Sequence, residues 1–218
     1  MNAVTQQGML FVASDILEAD EADFNAWYDR EHVEERVRMR GVISAARYIA
    51  LQGRPKYLSL YWAESISVFA SPAYAHAFLN QTEWSQRTLP KMVAPTRRIG
   101  NVSADVGLGS GAFVATMALN LPEDPQALAE RCADIGARLS EDPGFVHAYL
   151  ISPDDALSRP LPQEDLVTRR MYPIFIIESS SDASNARATE LAVAALDSRP
   201  DEIARYALTW KLSATELT

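Results

Sequence analysis

The spacing of apolar residues along the chain changes period repeatedly, and each change marks an element. Met9 to Ala13 form a short apolar run after Gly8, which predicts a strand. From about Asp23 to Arg38 the spacing becomes helical, and the helix is expected to stop at Gly41. A strand follows from Val42 to Leu51, turned at Gly53-Arg54-Pro55, and another spans Tyr57 to Ala63. Ser71-Pro72 opens the next helix, with serine as cap and proline in the first turn. A strand from about Arg98 to Val106 completes the set.

The same order then returns. Phe113 to Leu119 reads as a strand, Pro125 to about Ser140 as a helix, and Phe145 to Ile151 as a strand behind Gly144. Pro173 to Glu178, Ser184 to Leu196 and Arg205 to Leu212 supply the remaining strand, helix and strand. Gly41-Val42-Ile43 and Gly144-Phe145-Val146 fall at corresponding places, as do Trp62-Ala63-Glu64-Ser65 and Ile176-Ile177-Glu178-Ser179. The expected fold class is therefore α+β. It consists of two tandem ferredoxin-like βαββαβ units, residues 1–106 and 111–218, joined by the glycine-rich stretch Gly107 to Gly111. One such unit leaves a sheet face bare. A second can cover it, giving two facing antiparallel sheets, a pseudo-dimeric α+β barrel with a small-molecule cavity expected between them.

Composition changes this picture little. At 218 residues with 48% apolar side chains, the chain can bury a sizeable core. No apolar run approaches the roughly 20 residues of a membrane span, and the first residues do not resemble a signal peptide, so a cytoplasmic protein is expected. A net charge of −9 argues against a nucleic-acid surface. Residues 1–107 hold 11 basic and 12 acidic side chains (−1), whereas 108–218 hold 9 and 17 (−8), so the first half is the better host for a polar ligand. Free sheet edges in each unit predict a homo-oligomer. The single cysteine, Cys132, excludes an intrachain disulfide and is expected to be a buried apolar residue.

Candidate chemistry gathers on the first helix. Phe24, Trp27, Tyr28, Glu31 and Glu35 share one face, with His32 and Arg36 at its border. Buried unpaired charge is unfavourable, so the later turns either reach solvent, with ion pairs such as Glu31–Arg38 or Glu35–Arg38, or line a polar cavity. In the strand from Tyr57, the Leu58, Leu60, Trp62 face is expected under the helices. The Tyr57, Ser59, Tyr61 face, with Asn101 and Ser103, would then point between the sheets. Pro173, Phe175 and Ile177 make the matching face of the second half drier.

Trp27-Tyr28-Asp29-Arg30-Glu31-His32, then Arg36, Gly41-Val42 and Arg47-Tyr48, resemble the signature helix and following strand of the EthD-like family, within the dimeric α+β barrel superfamily. Phe69-Ala70-Ser71-Pro72 resembles its next landmark. The likeness covers about residues 8–105, and Ala127 to Ile135 of the second half lack the tryptophan and histidine. The resemblance implies one site per chain and a small-molecule enzyme working by proton transfer, of the cyclase, dehydratase or cofactor-independent oxygenase kind. His32 would be its general acid or base, and its side-chain pKa is naturally close to neutrality. Arg36 or Arg47 would stabilise a developing enolate, and Trp27, Tyr28, Tyr57, Ser59, Tyr61 and Asn101 would hold a small apolar or aromatic substrate. No cofactor and no metal are expected. A non-catalytic binding or structural protein is the alternative.

Three weaker signals complete the reading. His76 is expected to be partly buried structure, with haem ligation a remote alternative, and His147 either enters the shared cavity or packs structurally. Glu31, His32 and Glu35 are poorly spaced as metal ligands. Ser152 to Arg170 is long against its counterpart Gln52 to Lys56, and reads as an insertion or a lid.

Overall fold

The computed structural model describes residues 6–196 and 198–217. Among the described residues the elements follow in the order β1 (Gly8–Ile16), α1 (Glu18–Trp27), α2 (Val33–Val37), β2 (Val42–Gln52), β3 (Tyr57–Ala63), α3 (Pro72–Leu79), α4 (Glu83–Thr88), β4 (Met92–Gly107), β5 (Phe113–Leu119), α5 (Pro125–Leu139), β6 (Phe145–Pro153), β7 (Ile174–Ser179), α6 (Asp182–Ala195) and β8 (Ser198–Ser213). The first helix begins earlier than its apolar spacing indicates, and α4 has no forecast in the sequence. Ser71 caps α3 as expected, its Oγ accepting from the Tyr74 N–H at 3.2 Å. Gly41 and Gly144 both adopt left-handed backbone, at φ +88° and +92°, where the chain leaves a helix for β2 and β6.

All neighbouring strands pair antiparallel, in the order β1-β3-β2-β8-β5-β7-β6-β4, and the sheet closes into a barrel. Within that circle the first four strands run β4-β1-β3-β2 and the last four β8-β5-β7-β6, the same order in each half. The halves are stitched along two seams, β2 to β8 and β4 to β6. Two separate facing sheets were expected; hydrogen bonding across both seams merges them into one. Closure also removes the bare edges on which the expectation of self-association rested, since each strand has a partner on both sides.

The barrel interior is packed rather than hollow along most of its length. Met9, Phe11, Leu58, Leu60, Val102, Val114, Tyr149, Ile151, Ile174, Ile176 and Tyr206 fill it. The face assignment made from sequence is therefore reversed. Leu58 and Leu60 point into the barrel with Trp62 against them, while Tyr57 and Tyr61 lie under the first-half helices with Phe24, Trp27 and Tyr28. Phe175 and Ile177 likewise face α5 and α6, in a cluster with Leu128, Cys132, Ile135 and Leu139. Alternation tells the two faces of a strand apart, but both faces of this sheet are buried, so hydrophobicity does not say which is inside. Cys132 is fully buried, and burial pushes its thiol up to about 12.

The Ser152–Arg170 segment is a strap. After β6 it crosses onto the first half: the Asp154 N–H donates to the Ile99 carbonyl at 2.7 Å, and buried Ser158 bonds both main-chain groups of Ile99. Arg97 donates to the carbonyls of Leu157 and Arg159, each at 3.0 Å. No helix among the described residues is long and apolar enough to cross a membrane.

Candidate functional site

Between α1 and α2 the helix widens into a single π turn, Tyr28–His32, closed by the Val33 N–H bonding the Tyr28 carbonyl. A regular helix advances residues four apart by about 40°. The wide turn absorbs part of that drift and keeps Tyr28, His32 and Arg36 on one wall. Such turns are frequent at functional sites.

That wall bounds a cavity of about 30 Å³ on the outside of the barrel, beneath the helices. Tyr28, His32 and Arg36 line it from the helix, Leu10, Val12, Tyr61, Met92 and Arg97 from the sheet, Tyr74, Phe78, Gln81 and Leu89 from the α3–α4 region, and Leu161 from the strap. His32 stacks on Trp27 at 4.2 Å between ring centroids and meets the Tyr28 ring edge-on at 5.4 Å. Trp27 is itself fixed, its Nε1 donating to Ser85 Oγ of α4 at 3.0 Å. Arg36 is buried, its Nη2 donating to Gln81 Oε1 at 3.3 Å and its guanidinium 5.9 Å from the Tyr74 ring centre.

Three enclosed polar atoms around this cavity have no hydrogen-bond partner: His32 Nδ1, Arg36 Nη1 and Tyr61 Oη. Buried polar atoms are normally satisfied, and Glu35 Oε2, Arg47 Nε and Thr88 Oγ1, outside the cavity lining, lack partners as well. The imidazole is half-buried by surface, yet its Nδ1 is sealed off. Desolvation, assisted by the Arg36 and Arg47 cations, holds its pKa well below 6.5, so His32 is neutral at pH 7. Desolvation raises Tyr61 well above 10, keeping it a phenol that can donate. The wall thus offers a neutral base, a phenolic donor and a fixed cation.

The remaining nominated residues lie elsewhere. Trp27 backs the site without lining it. Arg47 sits behind Tyr28, 4.1 Å from its ring centre, with Nη1 on Asp29 at 2.8 Å and Nη2 on Asn25 at 3.1 Å. Tyr57 Oη is occupied by Glu21 and by the Asn25 amide. Ser59 is buried on the same face of β3 between Tyr57 and Tyr61, outside the cavity lining, and Asn101 lies in the β4–β6 seam opposite Ser152. None of these side chains faces a space between two sheets. Arg97 and Tyr74, which bond each other at 3.0 Å, were not foreseen. The Arg97-Arg98 pair was a usable signal, since adjacent strand residues must point to opposite faces.

The other histidines are structural or exposed. His147 stacks 5.7 Å from Trp62 and bonds Asp105, on the β4–β6 seam. His76 is exposed, not partly buried, and pairs with Asn80 at 3.2 Å one turn on. Buried Glu178 accepts from Tyr149 Oη at 2.8 Å and the Gly111 N–H at 2.7 Å, clamping the linker to the barrel, and desolvation raises its pKa.

No family model matches the chain, and no curated protein matches it by sequence. Solved structures do match by fold. An anthrone oxidase-like protein superposes with a TM-score of 0.62 at 12% identity, covering 96% of this chain and 94% of that one. A proposed monooxygenase from Fusobacterium nucleatum subsp. nucleatum gives 0.60 at 11%, covering 97% and 96%. A mutant chlorite dismutase from Candidatus Nitrospira defluvii gives 0.59 at 7%, covering 95% and 92%. The likeness is one of fold, a mixed α+β chain whose antiparallel sheet closes into an eight-stranded barrel.

Proposed function

We propose that this chain is a small-molecule enzyme of the EthD-like type that moves a proton on a small apolar or aromatic ketone. The observation that carries this is that His32, Arg36 and Tyr61, each with an orphaned buried atom (Nδ1, Nη1 and Oη), line one cavity. A neutral imidazole can take a proton from carbon next to a carbonyl. The enolate oxygen that forms then meets a guanidinium and a phenol already in place and already dry. Arg47 acts at one remove, holding Tyr28 and adding to the field that keeps His32 neutral. At about 30 Å³ the closed cavity admits a water-sized guest, so the reading requires Phe78, Gln81 or Leu161 to give way for a ring. In the same reading the chain is a tandem duplication, residues 1–106 and 111–218, whose second half has lost the site. The repeated strand order supports it.

The test uses ring ketones with an acidic C–H, beginning with anthrone, for which a structural neighbour is named. Deuterium uptake from D2O is followed by NMR. Exchange faster than buffer, abolished in His32→Gln and cut about 100-fold or more in Arg36→Met, is the expected result. Ligands that bind at His32 without any exchange would favour the alternative, a non-catalytic binding protein.

A further inference from the structure

A larger cavity, of about 290 Å³, opens at one mouth of the barrel, away from His32. We propose that it is a second binding site, for a neutral aromatic molecule, independent of the proton-transfer site proposed above. Its floor is the interior of the barrel: Phe11, Ala13 and Ile174 give an apolar base, and the Thr116 and Tyr206 side chains, both buried, stand beside them. A flat ring can lie on such a base while a hydroxyl or carbonyl substituent reaches Thr116.

The charges at the mouth argue that the occupant is neutral. The lining holds four arginines and four carboxylates, so it carries no net charge. The innermost of them, Arg98, bonds the strap's Glu164 and the carbonyls of Arg97 at 2.8 Å and Arg170 at 3.2 Å. Arg169 Nε also donates to Glu164, at 2.9 Å, and Arg54 pairs with Asp15 at 3.2 Å. Among the described residues no enclosed polar atom of this cavity lacks a partner, in contrast to the His32 site. A charged group seated on the floor beside buried Arg98 and Glu164 would disturb that pair, and a buried charge left unmatched is strongly unfavourable. A neutral ring needs no such exchange. The strap closes over it, with Tyr172 and Thr168 at the rim.

The probes are 2-naphthol and its charged counterpart naphthalene-2-sulfonate, titrated into the full chain by calorimetry. One 2-naphthol per chain is expected, bound at least about tenfold more tightly than the sulfonate. Filling the mouth by Ala118→Phe, or by Thr168→Trp on the exposed strap where folding is not at stake, weakens 2-naphthol by about tenfold or more, the scale of a pocket volume change. His32→Ala leaves it unchanged. Preference for the sulfonate, absence of saturable binding, or binding lost in His32→Ala but kept in both mouth variants overturns the proposal. The last outcome would move the ligand to the His32 cavity without touching the proton-transfer reading.

Discussion

Each half buries a layer between barrel and helices, yet the two layers differ in kind. Beneath α5 and α6, Met117, Cys132, Ile135, Leu139, Phe175 and Ile177 pack together, and the buried polar side chains Asn185 and Thr189 of α6 are hydrogen-bonded, to the Ile177 and Asn185 carbonyls. Beneath α1 and α2, the aromatic cluster of Phe24, Trp27, Tyr28 and Tyr61 is threaded by buried Arg36 and Arg47, and His32 Nδ1, Arg36 Nη1, Arg47 Nε and Tyr61 Oη stand without partners. One backbone plan therefore supports a layer spent on stability and a layer that gives some stability up. Unpaired buried groups persist where something other than folding maintains them.

The sharpest contrast comes from removing mass. Phe175→Ala in the dry layer should lower stability by about 3–5 kcal/mol, read by denaturant unfolding, and change no ligand binding. Trp27→Ala should cost about as much but also abolish activity at His32, because its ring is the platform for the imidazole. Equal functional loss from both would erase the distinction between the layers.

Methionine should separate the two halves by function. Arg36→Met leaves Gln81 Oε1 and the Glu35 carboxylate, 3.8 Å away, without their cation, so it is expected to lower stability while cutting exchange about 100-fold or more. Ile135→Met, in the dry layer, should lower stability by no more than about 1.5 kcal/mol and leave exchange unchanged. Tyr61→Phe removes an orphaned neutral hydroxyl, with a gain of about 1 kcal/mol or less, visible as a small rise in Tm. A loss of stability in Tyr61→Phe would show that its hydroxyl is satisfied in solution and that the cavity is ordinary core.

The smallest effects are in pH dependence. His32 has a folded pKa below 6.5, so its contribution to stability is complete above that value and is lost as pH falls through the folded pKa. His32→Gln should flatten that acid limb, and the acid limb of catalysis should likewise lie below pH 6.5. Glu178 is shifted the other way. Its contribution is present below the unfolded carboxylate pKa of 4.5 and is lost as pH rises through the higher folded value, so Glu178→Gln should remove a decline on that side. Coincident unfolding-versus-pH curves for wild type and both variants would contradict these assignments.

Much of this protein was legible from its residues alone. Apart from α4, the element order, the bounds of β3 and β5, the helix-ending Gly41 and the identity of the polar half follow from local spacing and turn chemistry. His32, Arg36, Tyr28 and Tyr61 were nominated from the sequence and do line one cavity. What the tertiary structure alone decided is which side of the sheet that cavity occupies. A closed barrel buries both faces of every strand, so the period-two pattern that separates Tyr61 from Leu60 carries no label for inside or outside. The same holds for closure itself: strand edges look alike in a one-dimensional pattern whether they end bare or meet a partner more than 160 residues away, as Ser44 meets Ser213. The π turn at Tyr28 and the path of the strap, which brings Leu161 to one cavity and Glu164 to the other, are likewise set by packing between distant segments and have no local signature.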